Sequence, residues 1–380
     1  MKRFRLSSFL ILSILLIYST NLLSAIKAVQ ISYIRCKNFK ELDKEFSKIK
    51  ANGYNTVIFR VFNNKGDRIY PFIPKNKILS RSGVYFKTKY CPIVYNILPA
   101  IIKLCHKHNL KIVAWLTTRY LDFGKIKLNR RVFKYDFDKN KIVPSKGLSF
   151  FNEKNIHFII NIYKDLIKNN IDGILLQDDL KILADEDFNK NAIKKFYRKT
   201  GILLSNKNIK SFLYGNVSKR YLIFRNKNLD KWNQFKSEQI DYFLTKLISA
   251  CRKKNINFFM NINYEALYRP ELSMLWYSYN LKSLKSIPIT YFTVMLYQKQ
   301  ISKELKLNNK QTFEFIAKLI KNYHHFSNEK KIIFKIQVFD WYTNKLIKKN
   351  SIKKLFTFFA KNNIENIAIF PYQKGLTILK

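Results

Sequence analysis

Acidic residues are scarce in this chain: 25 Asp and Glu stand against 71 Lys and Arg over 380 residues, a formal charge of +46. Such an excess usually points to nucleic acid or an anionic surface. Here the lysines run through the whole chain among abundant Asn and Ile, as compositional drift would leave them. No recognised nucleic-acid module and no basic tail stands apart, so no nucleic-acid partner is expected. Cysteine is also scarce, with Cys36, Cys91, Cys105 and Cys251 at spacings that fit neither a zinc site nor a dense disulfide framework. The tempting "CHKH" at 105–108 sets two His at i and i+2, on different faces of a helix, which disfavours a metal site. No metal and no organic cofactor is expected. Linkers, internal repeats and low-complexity segments are missing too, which leaves no boundary for a second folded domain.

What the chain does have is a 47% apolar, 16% aromatic composition, enough for a sizeable core and against disorder. Residues 1–25 read as a signal peptide or N-terminal anchor: Lys2, Arg3 and Arg5, an apolar stretch from Phe9 to Tyr18, then Leu23-Ser24-Ala25 as a cleavage site. Leu23 is larger than cleavage prefers, which keeps membrane association through residues 1–25 open. Ser, Thr and Asn interrupt the stretch and weaken a full span. The expected destination is export, to the periplasm or cell surface.

Between residues 26 and 380 strand-like and helix-like segments alternate. Strands are predicted at 29–35, 56–62, 111–118, 172–179, 257–264, 290–297, 332–340 and 366–372, rich in β-branched and aromatic residues. Several are nearly continuous apolar runs, as parallel strands buried on both faces require. Helical spacing of apolar residues marks 38–53, with an Asn cap and a Gly53 stop, and 91–109, 150–170, 233–255 and 269–286. Eight strands and about seven helices are the count of a single α/β (β/α)8 TIM-type barrel. Long insertions at 63–91, 119–149 and 180–232 then fall on the C-terminal rim, where such barrels build their sites.

The fourth segment, "IDGILLQDDL", ends an apolar run in two of the scarce acids, Asp178 and Asp179. With them at the strand ends stand Arg60, Asn63, Trp115, Arg119, Asn261, Asn263, Tyr264, Tyr297, Asp340, Trp341 and Tyr372. Aromatic faces with amide and carboxylate hydrogen bonds suit a sugar. Glycoside hydrolysis needs a proton donor and a second group at the anomeric carbon, and neighbouring carboxylates push their pKa values apart. Asp178 and Asp179 are the expected catalytic acids, though adjacent strand residues point to opposite faces. Glu265 and Asp340 are alternative second carboxylates; Asp172, opening the strand, is expected to be structural. Taken singly, an acidic pair after a strand is more often a cap or ion-pair partner, and Trp115 and Trp341 more often core. The set as a whole favours a site.

The ordered stretches "IDGILLQDDL", "MNINYEALYRPELSMLWYSYNL", "TVMLYQ", "KIQVFDW" and "NIAIFPY" resemble the C-terminal, glycosidase-like barrel of bacterial poly-β-1,6-N-acetylglucosamine N-deacetylases, proteins of biofilm polysaccharide export. Weaker likeness extends to "ANGYNTVIFRVFNNKGDRIYPF" and "KIVAWLTT". The resemblance implies hydrolase-like action on a partly deacetylated β-1,6-glucosamine polymer, with acids at Asp178 and Asp179 and an aromatic contact at Trp341. The deacetylase half and its metal-binding His/Asp set are absent, so deacetylation is not expected. Gln177 stands where the family pattern has a His, and Gln298 and Lys299 where it tends to place a Glu. The expected function is an exported glycoside hydrolase-like protein acting on an exopolysaccharide through carboxylate acid/base chemistry. Arg60, Trp115, Arg119, Asn261, Asn263, Tyr264, Tyr297, Trp341 and Tyr372 would hold the sugar. The alternatives are a non-catalytic glycan-binding barrel that guides polymer during export, and a basic surface protein whose affinity for anionic polymers falls steeply with salt.

Overall fold

A computed structural model describes residues 25–123, 126–205, 207–214, 227–252, 256–326 and 331–376. The expected signal segment, apart from Ala25, lies outside them. Eight parallel strands close into one barrel: β1 (Lys27–Ile31), β2 (Thr56–Arg60), β3 (Lys111–Leu116), β4 (Gly173–Leu176), β5 (Asn257–Asn263), β6 (Tyr291–Leu296), β7 (Lys331–Gln337) and β8 (Ile367–Phe370). Strand β1 pairs with both β2 and β8, so the sheet has no edge. Seven strands fall inside, or within one residue of, a run marked in the sequence; β1 begins two residues before its run at 29–35. All six residues of β6 are buried. The (β/α)8 barrel expected from alternation is the fold observed.

Helices on the outside cover the sheet. That at Phe39–Ala51 begins where the Asn38 side chain accepts from the Glu41 amide at 2.9 Å, and Gly53 follows it with a φ of +83°. Three helices differ from expectation, one of them only in its bounds, Lys227–Cys251 against 233–255. The helix expected from residue 91 begins at Leu98, because 92–94 pair with Val84 instead: the Val84 amide donates to the Pro92 carbonyl and the Val94 amide to the Val84 carbonyl. The segment expected as one helix over 269–286 is two, Pro270–Tyr277 and Leu281–Ser286, broken at Ser278, whose φ is +57°. The two His of "CHKH" serve packing separately, His106 against Asp172 at 3.0 Å and His108 against Asp43 at 2.7 Å. Asp172 also accepts the Ile112 amide at 2.8 Å, which ties β4 to β3 at the bottom of the barrel.

All three long insertions lie on the C-terminal side. The second carries a hairpin, Arg131–Asp136 with Lys141–Leu148; the third carries helices at Lys190–Thr200 and Ile209–Tyr214. Among the described residues no helix is long and apolar enough to cross a membrane.

Candidate functional site at the barrel mouth

Residues in register across a parallel sheet point to the same face, so strand pairing fixes which side chains enter the barrel. Arg60, Trp115 and Leu175 lie in register, as do Leu175, Phe259 and Tyr291, and Met295 and Lys335. Alternation from these positions turns Gln30, Gln177, Asn261, Asn263, Thr293 and Phe370 inward as well. Gly173 is required by this arrangement: a Cβ there would stand 2.7 Å from the ring of Phe259.

The neighbouring acids part company. Asp179 is buried and turned sideways into the loop after β3. Its carboxylate accepts from the amides of Thr118, Arg119 and Tyr120 and from the hydroxyls of Thr117 and Thr118, at 2.7–3.1 Å. Burial still pushes its carboxyl above the ordinary range, against the pull of those donors. Both oxygens are occupied, so Asp179 fixes the loop and offers nothing to a ligand. Asp178 is partly exposed. Its charge acts on Lys335 from β7, on Tyr297 after β6 and on Tyr279.

Facing it is an aromatic wall. Phe370 at the end of β8 lies 5.9 Å from Trp115, 5.9 Å from Tyr297 and 6.3 Å from Trp341; Tyr297 and Trp341 meet edge to face at 5.0 Å. Phe62, just past β2, closes on Trp115 at 5.9 Å. On the other side Glu265 opens the short helix after β5, buried except at its edge. It takes the Tyr277 hydroxyl at 3.1 Å. Burial raises its carboxyl pKa, and the charge of Glu304, delivered by the helix after β6, adds to that while Lys181 opposes it.

The mouth has one further property. Buried polar atoms nearly always find partners, and each one left without costs about 1–3 kcal/mol. Gln30 Oε1, Arg60 Nε, Trp115 Nε1, Gln177 Oε1, Asn263 Oδ1 and Glu265 Oε2 are buried with no partner in the protein. They are contributed by β1 to β5 in turn, all inward-facing or at the strand ends. Two donors and four acceptors are thus left open on successive strands around the barrel.

Other residues expected at the site lie elsewhere. Arg119 is wholly buried under the third insertion, bonded to Glu186 at 3.2 Å and to the Leu148 and Lys181 carbonyls, so no part of it can reach a sugar. Tyr372 turns outward and donates to Glu45 on the first helix at 2.7 Å. Tyr264 is buried and donates to Glu304 at 3.2 Å. Asn63 is also spent structurally, on the Arg81 carbonyl and the Tyr85 hydroxyl. Asp340 caps a hairpin turn by accepting from the Tyr342 amide at 2.9 Å. With Lys299, Asp340 lines a flank cavity of about 670 Å³ between the helices at 298–304, 309–326 and 349–361. Asn261 sits deeper, accepting from Thr293 at 2.6 Å and from Lys335. Sequence reasoning missed Gln30 and Lys335, although a polar residue inside the apolar runs "VQISYI" and "IIFKIQV" at inward parity was the available signal. It also missed Tyr277 and Tyr279, which carry no periodic signal.

A groove of about 1010 Å³ on the same rim runs between the hairpin at 131–148 and the segment 183–186. Asp122, Asp136, Asp138, Asp185 and Glu186 line it with Tyr120, Tyr135 and Phe137.

A family model described as hypothetical glycosyl hydrolase family 13 matches residues 36–370. Among solved structures the chain is similar to the PgaB (BpsB) glycoside hydrolase domain from Bordetella bronchiseptica, with a TM-score of 0.69 at 16% identity, covering 91% of this chain and 94% of that one. It is also similar to the catalytic domain of a β-amylase from Paenibacillus polymyxa, with a TM-score of 0.55 at 10% identity over 91% and 92%. At these identities the likeness is one of fold. No curated protein matches.

Proposed function

Since this chain belongs to hypothetical glycosyl hydrolase family 13, we propose that it is an exported protein that cleaves an exopolysaccharide, a partly deacetylated poly-β-1,6-N-acetylglucosamine. The observation that carries this reading is the ring of unpartnered polar atoms facing an aromatic wall. A sugar presents apolar faces to such a wall and a rim of hydroxyls, each both donor and acceptor, to such a ring. Asp178 is the carboxylate at the reacting centre, as general acid or as the group that orients the sugar. Glu265, kept towards its neutral form by burial and by Glu304, is the second carboxylate. Trp115, Tyr297 and Trp341 hold sugar faces, and Arg60 and Asn263 hold hydroxyls. Five of the 25 acids line one groove on that rim, against Arg131, Lys134 and Lys146, an acidic excess in an otherwise basic chain that suits a cationic, amine-bearing polymer. Residues 1–25 supply export.

A second reading, a non-catalytic barrel that guides the polymer, is favoured by one observation. Gln298, which opens the helix after β6, is spent on the Gln337 backbone and Lys299 lines the flank cavity; neither residue carries a carboxylate. Product analysis by mass spectrometry separates the two. Residues 26–380 would be incubated with partly deacetylated β-1,6-N-acetylglucosamine polymer beside an Asp178→Asn control. Oligosaccharides released by the wild type alone establish the hydrolase. Intact polymer in both reactions, with binding retained, establishes the guide.

A further inference from the structure

Lys335 is a side chain the proposed chemistry does not use. It projects from β7 into the barrel, has no accessible surface, and its Nζ bonds the Asn261 side chain. Barrel interiors are ordinarily filled by branched apolar residues, and a buried ammonium is tolerated only with a counter-charge. The charged groups around it are few. From β5 comes the Asn261 amide, from β6 the Thr293 hydroxyl bonded to that same amide, and from β8 the in-register Ala368, none of them charged. Above stand Tyr297, held as a neutral phenol by burial and by Asp178, and Asp178 itself, among the described residues the one carboxylate whose charge supports the ammonium.

Resting on the glycan-site reading above, we propose that Lys335 is a specificity-determining residue that competes with amine-bearing sugar units for the charge of Asp178. A protonated amine on a bound sugar and a protonated Lys335 would share a single carboxylate in a low-dielectric site, where like charges repel strongly. Binding of a cationic unit therefore drives a proton from Lys335 to solvent, and a neutral N-acetylated unit does not. By linkage, a ligand whose binding releases one proton binds more tightly as pH rises, by up to about tenfold per pH unit. Burial brings the Lys335 amine down to about 7, so the change falls in the neutral range.

The test is isothermal calorimetry from pH 6 to 8 with two probes, a β-1,6-glucosamine oligosaccharide and its fully N-acetylated counterpart. Wild type, Lys335→Met and Lys335→Gln are compared, with thermal melting confirming that each variant is folded. Titration of the sugar amine is common to all three proteins, so the difference between them isolates Lys335. The wild type should gain about tenfold more affinity for the amine probe over this range than either variant does. In the variants only the titration of the sugar amine itself should remain, and the N-acetylated probe should be insensitive to both pH and substitution. Equal pH dependence in wild type and variants overturns the role of Lys335 and leaves the glycan site standing. Failure of the wild type to bind either probe at any pH overturns both.

Discussion

Two regions of this barrel bury charge, and they do it in opposite ways. Under the third insertion Arg119 meets Glu186 and lies 3.9 Å from Asp187, and Lys236 donates to the Leu183 carbonyl at 2.7 Å. Tyr120 donates to Glu186 at 2.8 Å and Asn189 to Asp187 at 2.7 Å. Each cation there has a carboxylate or carbonyl partner within the chain, although Arg119 Nη2 and Asp187 Oδ2 themselves make no hydrogen bond. At the mouth, Asp178, Lys335 and Glu265 have few answering groups, and the polar atoms around them are left open. A satisfied network holds a shape, whereas an unsatisfied one is retained at a cost to stability and marks where a ligand is expected. The two regions meet at Asp179, whose side chain belongs to the first kind while its neighbour in sequence belongs to the second.

The comparison can be broken at either end. The largest effect is expected from Asp178→Asn, which should lower kcat/KM for glycan cleavage by about 10²–10⁴-fold, the usual worth of a positioned acid or base, with the melting temperature near that of wild type. Retained cleavage would remove Asp178 from the reaction. In the satisfied region, Arg119→Met should cost about 3–5 kcal/mol, read from urea unfolding, because Glu186 and Asp187 would stay buried without their cation. A cost under about 1 kcal/mol would show that the network is not what holds the insertion.

Lys335→Met sharpens the contrast with the opposite sign. Its amine titrates near 7 when folded against an ordinary value of 10.5. The unfolded chain therefore takes up the proton first as pH falls, and the folded state loses stability from about 10.5 down to about 7, with no further loss below. Removing the amine should stabilise the protein by a few kcal/mol at pH 7 and lower, with the gain vanishing above about pH 10.5. Melting temperatures across pH measure this, and a pH-independent difference would sink it. The smallest effect is expected at the aromatic wall. Trp341→Ala should weaken oligosaccharide binding by about 1 kcal/mol, roughly fivefold, without changing stability, since Trp341 is partly exposed.

Much of the fold was legible along the chain, because a parallel barrel writes its strands as apolar runs separated by amphipathic helices. Misreadings came where a local rule lost to tertiary pairing. Residues 91–97 carry helical spacing, yet the backbone of 92–94 is taken by Val84 and that of Ile97 by Tyr85, and the apolar spacing of 269–286 cannot signal the turn at Ser278. The site was less legible for a related reason. Asp178 and Asp179 look alike on paper; which one faces the mouth depends on a turn after β4 and on amides from a loop some sixty residues earlier. Arg119 and Tyr372 follow or end strands like any rim residue, and only the packing of an insertion and of the first helix turns them away.

The sequence by itself determined the barrel and its eight strands, because periodicity and composition are local properties. Only the tertiary structure decided which polar atoms were left without partners, since burial and hydrogen bonding depend on what distant segments bring to the same place. The same cause brings the charge of Asp178 to bear on Lys335, 157 positions away in the chain.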